Sequence, residues 1–600
     1  MNMVNLQNTP NVLELMRHHA LSRADHEAVT LVQDIENDEA VTLSYRQLDT
    51  AARELAGWLQ ARFSTGERIL LLYPVGLDFT VAFMACIYAG MIAVPAPLPG
   101  QYRHERHRVK SIAVDAGVSA IFTDQDNLEK VKTWGNEEGL SSCTYLATDQ
   151  PIESDATWHA PQIDRQTVVL LQYTSGSTGE PKGVMITHQN LLHNVDSYRQ
   201  ALGFDENTRF GGWIPLFHDM GLMAQLLPAL FLGSSCVLMT PQAFVLRPYS
   251  WLRMIDKHDI HYSAAPNFAF DLCCRRVTDE QLSRLDLSRW AFATNGSEPI
   301  QAATLKGFST RFALAGFNAE TLCPCYGMAE ATVYVSGYGK RGPLIQNVDL
   351  QALANKRFEL ARDGQPSRQL VSCGVPVGFD VRIVCPSSHV ALAADQFGEI
   401  WLRSDSVSPG YWHKDAATQA TFNLTTADGE SGFMRTGDLG VVHEGELYVC
   451  GRIKEMLIVR GRNLYPQDIE FELRRHHPEL ASRLGSAFGV MLEGGEALVV
   501  THEVRGLPNT EKLISLSQAI RGTVMREFGI YAVGVTLLRS GSVRRTTSGK
   551  IQRGAMRELF LANELPALYE SLDATVQELR LMQAKNGLIA QDLTMAGESA

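Results

Sequence analysis

Residues Tyr173-Thr174-Ser175-Gly176-Ser177-Thr178-Gly179-Glu180-Pro181-Lys182-Gly183 place three glycines, four Ser/Thr hydroxyls and one lysine within eleven positions. The run follows Thr167-Val168-Val169-Leu170-Leu171, an apolar segment with the texture of a buried strand. Glycines let backbone N–H groups close on phosphate oxygens, while hydroxyls and an ammonium add donors and charge. The order differs from a Walker loop, which needs Gly-Lys followed by Ser or Thr; here Lys182 precedes Gly183. A flexible Gly/Ser surface loop is the plain alternative, and the remainder of the chain decides between the two.

Six hundred residues leave room for roughly two to four domains. With 45% apolar and 20% charged residues the chain is globular and can bury large cores. A formal charge of −12 argues against non-specific nucleic-acid binding, which relies on a positive field. It leaves room for a local basic patch facing an acidic protein partner. Met1-Asn2-Met3-Val4-Asn5-Leu6-Gln7 lacks the basic-then-apolar order of a signal peptide. The greasiest stretches, 80–95 and 221–239, are broken well before the roughly 20 apolar residues a membrane helix needs. A soluble, cytoplasmic protein without membrane insertion is expected. Ten cysteines are scattered without a Cys-x-x-Cys pair, so free thiols in a reducing compartment are expected rather than zinc.

Residues 11–330 alternate helical and strand-like segments, the pattern of α/β layers. Segments 11–26 and 44–61 carry helical spacing, with Leu48, Ala52, Leu55 and Leu59 on one face. Segments 68–73 and 92–95 read as buried strands flanking an apolar helix, which suits a parallel sheet covered on both faces. From about residue 377 the texture becomes short alternating strands at 379–384, 398–402 and 446–449. Beyond residue 452 a smaller α+β region predicts a helix over 466–477 and strands at 486–490 and 497–500. In the tail, Leu568, Leu572, Val576 and Leu579 at i, i+4, i+8 and i+11 predict one last amphipathic helix. It would pack on the small domain or serve a partner.

Five further motifs follow: Asn295-Gly296-Ser297-Glu298-Pro299, Tyr326-Gly327-Met328-Ala329-Glu330-Ala331-Thr332, Arg435-Thr436-Gly437-Asp438-Leu439-Gly440, Gly451-Arg452-Ile453-Lys454-Glu455 and Arg545-Thr546-Thr547-Ser548-Gly549-Lys550-Ile551. Each alone has a dull explanation as a turn. In this order, and with the run at 173–183, they resemble the adenylate-forming enzymes: acyl-CoA synthetases, luciferases and the adenylation domains of peptide synthetases.

That resemblance implies an α/β architecture. A large N-terminal adenylation domain over 1–453 would hold two layered α/β subdomains and a small β-barrel-like subdomain. A small mobile α+β domain over 454–565 and a helical tail over 566–600 would follow. It also implies ATP and Mg2+. Thr174, Ser175, Gly176, Ser177, Thr178, Gly179 and Lys182 would hold the β- and γ-phosphates. Gly296, Ser297 and Glu298 would flank adenine. Tyr326, with Gly327, Met328 and Ala329, would supply an aromatic face for it. Glu330 and the Thr174 hydroxyl would sit at magnesium, a hard ion that prefers oxygen. Asp438 would grip the ribose hydroxyls, Arg452 would add charge nearby, and Lys454 would be the hinge. Lys550 would be the catalytic lysine, although a lysine near a C-terminus, read alone, is commonly solvated.

The chemistry accounts for those residue types. A carboxylate must attack the α-phosphate of ATP, an anion meeting an anion, so positioned cations and donors are the remedy. Lys550 would bridge the carboxylate and the α-phosphate oxygens as charge redistributes. Asp438 can accept two ribose hydroxyl bonds at once. Trp213 and His218, in Trp213-Ile214-Pro215-Leu216-Phe217-His218-Asp219, would line and gate an acyl pocket, with a satisfied core histidine as the alternative.

Three features resemble the fatty acyl-AMP ligases within that superfamily. Leu370-Val371-Ser372-Cys373-Gly374 is similar to the segment entering their Gly-x-Pro turn. Residues 338–369 resemble the insertion that separates them from acyl-CoA ligases. Residues 458–470 are similar to the pattern after their hinge, except that Leu464 stands where they usually have His. In the insertion, Asp349 can cap a helix bearing Leu350, Leu353, Ala354 and Phe358 on one stripe. The resemblance implies that the insertion restrains rotation about Lys454 and disfavours thioester formation with CoA.

The expected function is therefore ATP-dependent activation of a medium- or long-chain fatty acid to acyl-adenylate, releasing pyrophosphate. The acyl group would pass to the phosphopantetheine of a separate holo-acyl carrier protein in a lipopeptide or polyketide pathway. A fatty acyl-CoA ligase is the nearest rival, and a catalytically silent lipid- or nucleotide-binding relative another. An amino-acid adenylation domain fits less well, because residues 264–270 carry no carboxylate for an α-amino group.

Overall fold

A computed structural model describes residues 5–151, 156–174, 181–338, 341–459, 462–493, 495–546 and 549–583. The chain divides into two compact units, Met1–Val449 and Cys450–Ala600. No helix among the described residues is long and apolar enough to cross a membrane.

Two large sheets form the core of the first unit. A 6-stranded sheet runs in the order Thr144–Ala147, Ala120–Thr123, Arg68–Leu72, Ile92–Ala96, Val168–Thr174 and Lys182–Thr187. All its pairings are parallel except the last, where Val168–Thr174 and Lys182–Thr187 run antiparallel with Thr174 opposite Lys182. The 173–183 run therefore joins two adjacent, hydrogen-bonded strands. The helix Leu77–Ala89 buries residues on every side, from Phe79 and Thr80 to Tyr88 and Ala89. That explains why its sequence is apolar all round: it is covered on every face rather than on one. Tyr45–Gln60, by contrast, opens on a Ser44 capping box and buries Leu48, Ala52, Leu55 and Leu59, the stripe its spacing predicts.

The second sheet is 7-stranded, ordered Leu322–Pro324, Phe292–Asn295, Tyr262–Ala265, Phe210–Gly212, Cys236–Leu238, Glu27–Asp34 and Glu39–Ser44. Its carboxyl ends deliver Asn295, which opens one motif, and Pro324, two residues before the motif that opens at Tyr326. The small all-β region is a 4-stranded antiparallel sheet of Asp380–Val384, Gly398–Arg403, Met434–His443 and Glu446–Arg452. The division into two units falls inside its last strand.

Within 338–369, the described residues form a hairpin rather than loose loop. Ile345–Asp349 pairs antiparallel with Ser367–Val371, and Asp349 caps the short helix Leu350–Ala354 by accepting the Ala352 amide at 2.8 Å. The stripe differs from expectation. Leu350 is exposed, while Ala352 and Phe358 are buried. The helix has five residues, too few to present a continuous face, so docking falls to Phe358. Its ring packs on those of Phe397, His443 and Tyr448, and its amide donates to Asp395.

In the second unit a mixed 4-stranded sheet, Gly485–Leu492, Gly495–Glu503, Ala532–Leu538 and Ala567–Leu572, is covered by the helices Pro466–His476, Thr510–Phe528 and Arg553–Leu561. Here the helical tail needs correction. Leu568 and Leu572 lie in a strand paired antiparallel to Ala532–Leu538, and helix begins at residue 574. An open sheet edge supplies backbone partners that a spacing of four cannot reveal. Val576, fully buried, and Leu579 keep their place on that later helix.

Candidate active site

Two of the four motif segments of the first unit meet at a carboxylate, Asp438. Tyr326 follows the strand Leu322–Pro324 and is 9% exposed; Asp438 lies in Met434–His443 and is 6% exposed. The Tyr326 hydroxyl donates to Asp438 Oδ2 at 2.7 Å. The Thr436 hydroxyl accepts the Asp438 amide at 3.0 Å and donates to the Ile400 carbonyl at 2.8 Å. Gly437 has φ +73°, a left-handed conformation that side chains with a Cβ adopt at a cost.

Behind this turn sits Glu399, whose residue exposure is 0%. Its carboxylate accepts Arg435 Nε at 3.0 Å, Arg435 Nη2 at 2.8 Å, the Trp401 indole N–H at 3.1 Å and the Gly437 amide at 3.0 Å. Four donors on one buried carboxylate satisfy both oxygens, the condition under which a buried charge is tolerated. Glu399 was not singled out from sequence. Its signal is an acidic residue sharing a strand face with Trp401 in an otherwise apolar run.

Glu330 is half-buried in the 3-10 turn Ala329–Ala331. Its Oε1 accepts the Tyr411 hydroxyl at 2.9 Å, and its carbonyl accepts the Ser408 amide at 2.9 Å. The Lys182 ammonium lies 4.9 Å from the centre of the Tyr411 ring. Tyr411 thus links the lysine at the foot of the 173–183 run to the Glu330 carboxylate, and sequence reading missed it. Just beyond Glu330, Thr332 adopts φ +69°, which a β-branched residue avoids. Its hydroxyl is anchored to the Ser406 carbonyl at 2.7 Å, so packing imposes the turn that presents Glu330.

Other expected residues take more mixed positions. Thr174 ends its strand half-buried; Ser175, Gly176, Ser177, Thr178 and Gly179 lie outside the described residues. A Cβ on Gly296 would fall 2.6 Å from Cys325 Sγ, and one on Gly327 would run into the Val333 carbonyl oxygen. Gly327 is thus required by backbone packing and Gly296 by the close approach of the Cys325 side chain. Ser297 has φ +70°, and Glu298 Oε1 accepts the Phe268 amide at 2.6 Å, which engages that carboxylate in starting the helix Asn267–Arg276. Met328 and Ala329 line the same turn as Glu330. Trp213 is buried and stacked on Phe244 at 4.0 Å. His218 Nδ1 lies 2.6 Å from Asp219 Oδ1, at the cap of the short turn Asp219–Gly221. Arg452, Lys454 and Lys550 are exposed residues of the second unit. The Lys550 loop is closed by Thr546 N–H donating to the Lys550 carbonyl at 2.8 Å and Gln552 N–H to the Arg544 carbonyl at 2.9 Å.

The donor set fits the groups expected from the motifs. Glu330 offers carboxylate oxygen for a hard cation, and Asp438 offers two acceptors for vicinal hydroxyls. Comparison with known proteins shows the family. Residues 16–412 match the family model described as AMP-binding enzyme, and residues 454–570 match that of the Disco-interacting protein 2-like AMP domain. The chain is 40% identical to the medium-chain-fatty-acid–[acyl-carrier-protein] ligase JamA of Moorena producens, covering 92% of this chain and 95% of that protein. It is 34% identical to the long-chain-fatty-acid–AMP ligase FadD26 of Mycobacterium marinum, over 94% of this chain and 100% of that one. Its fold matches the crystal structure of a fatty acyl-adenylate ligase from Legionella pneumophila in complex with acyl adenylate and pyrophosphate. The TM-score is 0.74 at 33% identity, covering 95% of this chain and 99% of that chain. On these matches, the chain belongs to the AMP-binding enzyme family, among its fatty acyl-AMP ligases.

Proposed function

We propose that this protein converts a medium- or long-chain fatty acid and ATP to acyl-adenylate and pyrophosphate, then transfers the acyl group to the phosphopantetheine thiol of a separate acyl carrier protein. The observation that carries this reading is the near full-length match to a fatty-acid–[acyl-carrier-protein] ligase. The hydrogen bonds that orient the Asp438 and Glu330 carboxylates, acceptors suited to ribose hydroxyls and a hard cation, support it.

Asp438 accepts the ribose hydroxyls, and Tyr326 both holds that carboxylate and presents its ring to adenine. Lys182, with residues 174–179, faces the β- and γ-phosphates. Glu330 and Thr174 would hold Mg2+, which would supply charge neutralisation at the phosphates. Lys550 supplies a cation between the substrate carboxylate and the α-phosphate, where two anions must approach. Trp213 and His218 border the acyl pocket. The hairpin at 338–369, fixed to the β-sheet of the first unit through Phe358, restrains rotation about Lys454. The chain accordingly comprises an adenylation domain over 1–453 and, from 454, a mobile domain that includes the strand Ala567–Leu572 and is followed by the tail. It acts in the cytoplasm, in lipopeptide or polyketide assembly.

A second reading, fatty acyl-CoA ligase, is favoured by 34% identity to a putative fatty-acid–CoA ligase, fadD25, of Mycobacterium tuberculosis. One experiment separates them. The protein is given ATP, Mg2+ and dodecanoate, with CoA in one vessel and a holo-acyl carrier protein in another. Acyl-adenylate with acyl-carrier and little acyl-CoA is the expected outcome. Robust acyl-CoA formation would transfer the assignment to the second reading. Absence of adenylate with every chain length would reject both.

A further inference from the structure

Arg553 stands three residues beyond Lys550 and opens the helix Arg553–Leu561. Its guanidinium is committed to two carboxylates from distant segments. Nε and Nη2 donate to the two oxygens of Glu470 at 2.8 and 2.7 Å, and Nη1 donates to Glu455 Oε2 at 2.6 Å. Side-chain exposure is 14% for Arg553, 5% for Glu470 and 28% for Glu455.

The two arms differ in kind. Glu470, in the helix Pro466–His476, also accepts the Ala487 amide at 3.0 Å and so is bonded into the strand Gly485–Leu492. That buried fork already neutralises the guanidinium and uses its planar geometry fully. Glu455 sits on the 3-10 turn Ile453–Glu455, directly after Lys454, and remains partly open to water. Two carboxylates on one guanidinium leave the cluster net negative, more than burial of one cation demands.

The other side of Arg553 is the lysine loop. Gln552 N–H bonds the Arg544 carbonyl, Arg545 bridges to Ile551, and the Met556 amide returns to the Gln552 carbonyl at 3.0 Å. Within the loop, the Lys550 amide donates to the Thr546 hydroxyl at 3.1 Å, and Gly549 takes φ +85°. One side chain therefore joins the base of the Lys550 loop, the sheet and the turn at Lys454, all within the second unit.

We propose that Arg553 is a positioning residue for Lys550, and that its bond to Glu455 makes the placement of the lysine loop follow the conformation of the turn at Lys454. The inference rests on the roles given above to Lys550 and Lys454. Any rotation that carries Glu455 must shift the loop base with it or break a charge-assisted bond. Burial of Arg553 alone would require the Glu470 arm and nothing more.

The test compares the full chain with Glu455→Ala and the milder Glu455→Gln, which keeps an oxygen acceptor without its charge. Hydrogen exchange at the amides of Gly549, Lys550 and Gln552 is expected to quicken at least about tenfold in Glu455→Ala, on the scale of a lost charged hydrogen bond. The strand Gly495–Glu503 should keep its protection, and Tm should stay within about 2 °C. In ATP–pyrophosphate exchange with dodecanoate, kcat should fall at least about tenfold while KM for ATP stays within about twofold, with Glu455→Gln in between. Arg553→Lys, which cannot span both carboxylates, should quicken the same three amides. Unchanged loop protection in Glu455→Ala would overturn the proposal. So would protection lost throughout the second unit together with Tm, the mark of a merely structural ion pair. Hydrogen exchange needs no turnover, so it decides the inference even where the wild-type protein makes no adenylate, a result that would sink the proposed function alone.

Discussion

The Tyr326 hydroxyl donates to Asp438 Oδ2 across 2.7 Å, joining residues separated by 112 positions. The bond orients Asp438 while using one acceptor position of a carboxylate that has about four. It also fixes the tyrosine ring that the motif order assigns to adenine.

Tyr326→Phe keeps the ring and frees the carboxylate. KM for ATP should rise about tenfold, the scale of a lost hydrogen bond to a charged group, with kcat within about threefold. Asp438→Ala should lose far more, because it removes the ribose acceptors themselves. Steady-state pyrophosphate release against ATP concentration reads both, and an unchanged KM in Tyr326→Phe would separate the pair from nucleotide binding.

Glu399 makes a different prediction, one of stability. Removing a carboxylate that answers Arg435, Trp401 and Gly437 leaves a half-buried cation and two N–H groups without it. Glu399→Ala should destabilise the first unit by about 2–3 kcal/mol, less than for a fully buried pair because water reaches Arg435. The midpoint of its denaturant-unfolding transition measures this. A change below about 1 kcal/mol would show that the turn at Gly437 is held by other means.

At Glu330 the readout is magnesium. Glu330→Gln should raise the Mg2+ concentration for half-maximal adenylation by about tenfold or more, since a neutral amide is a poorer ligand for a hard ion. Tyr411→Phe leaves the carboxylate and removes its 2.9 Å donor, so a smaller shift is expected. Equal effects of the two substitutions would mean that Tyr411, rather than the Glu330 charge, governs the requirement.

Acid should weaken the fold through buried histidines. Burial pushes His19 and His188 down from 6.5 to about 4, and His502 to about 3. His188 Nδ1 also accepts the Val12 amide at 3.3 Å, which requires a neutral ring. The unfolded chain protonates near 6.5 and the folded one only well below it. Stability is therefore full above pH 6.5 and declines as pH falls toward the folded values, by about 1.4 kcal/mol per unit for each histidine. Unfolding free energy measured from pH 7 to 5 should show that slope, and His188→Gln should remove one histidine's share of it. A flat profile would mean that these rings accept protons in the folded state.

The linear order of motifs, the alternation of buried strand and helix, and the Asp349 cap are all written locally. Hydrophobic period, glycine placement and a capping side chain act over a few residues, so the α/β layers and the carriers of chemistry could be read directly. What the tertiary structure decided involves partners far apart in the chain. Tyr411 reaches Glu330 across 81 residues and Arg435 meets Glu399 across 36, separations at which no spacing rule operates. Leu568 and Leu572 show the reverse error. Their helical spacing was real, yet the open edge of Ala532–Leu538 offered a row of backbone hydrogen bonds that outweighed it. Local pattern determines which residues are suited to an element or a reaction. The free energy of closing distant strands and burying charges together determines which of those residues meet.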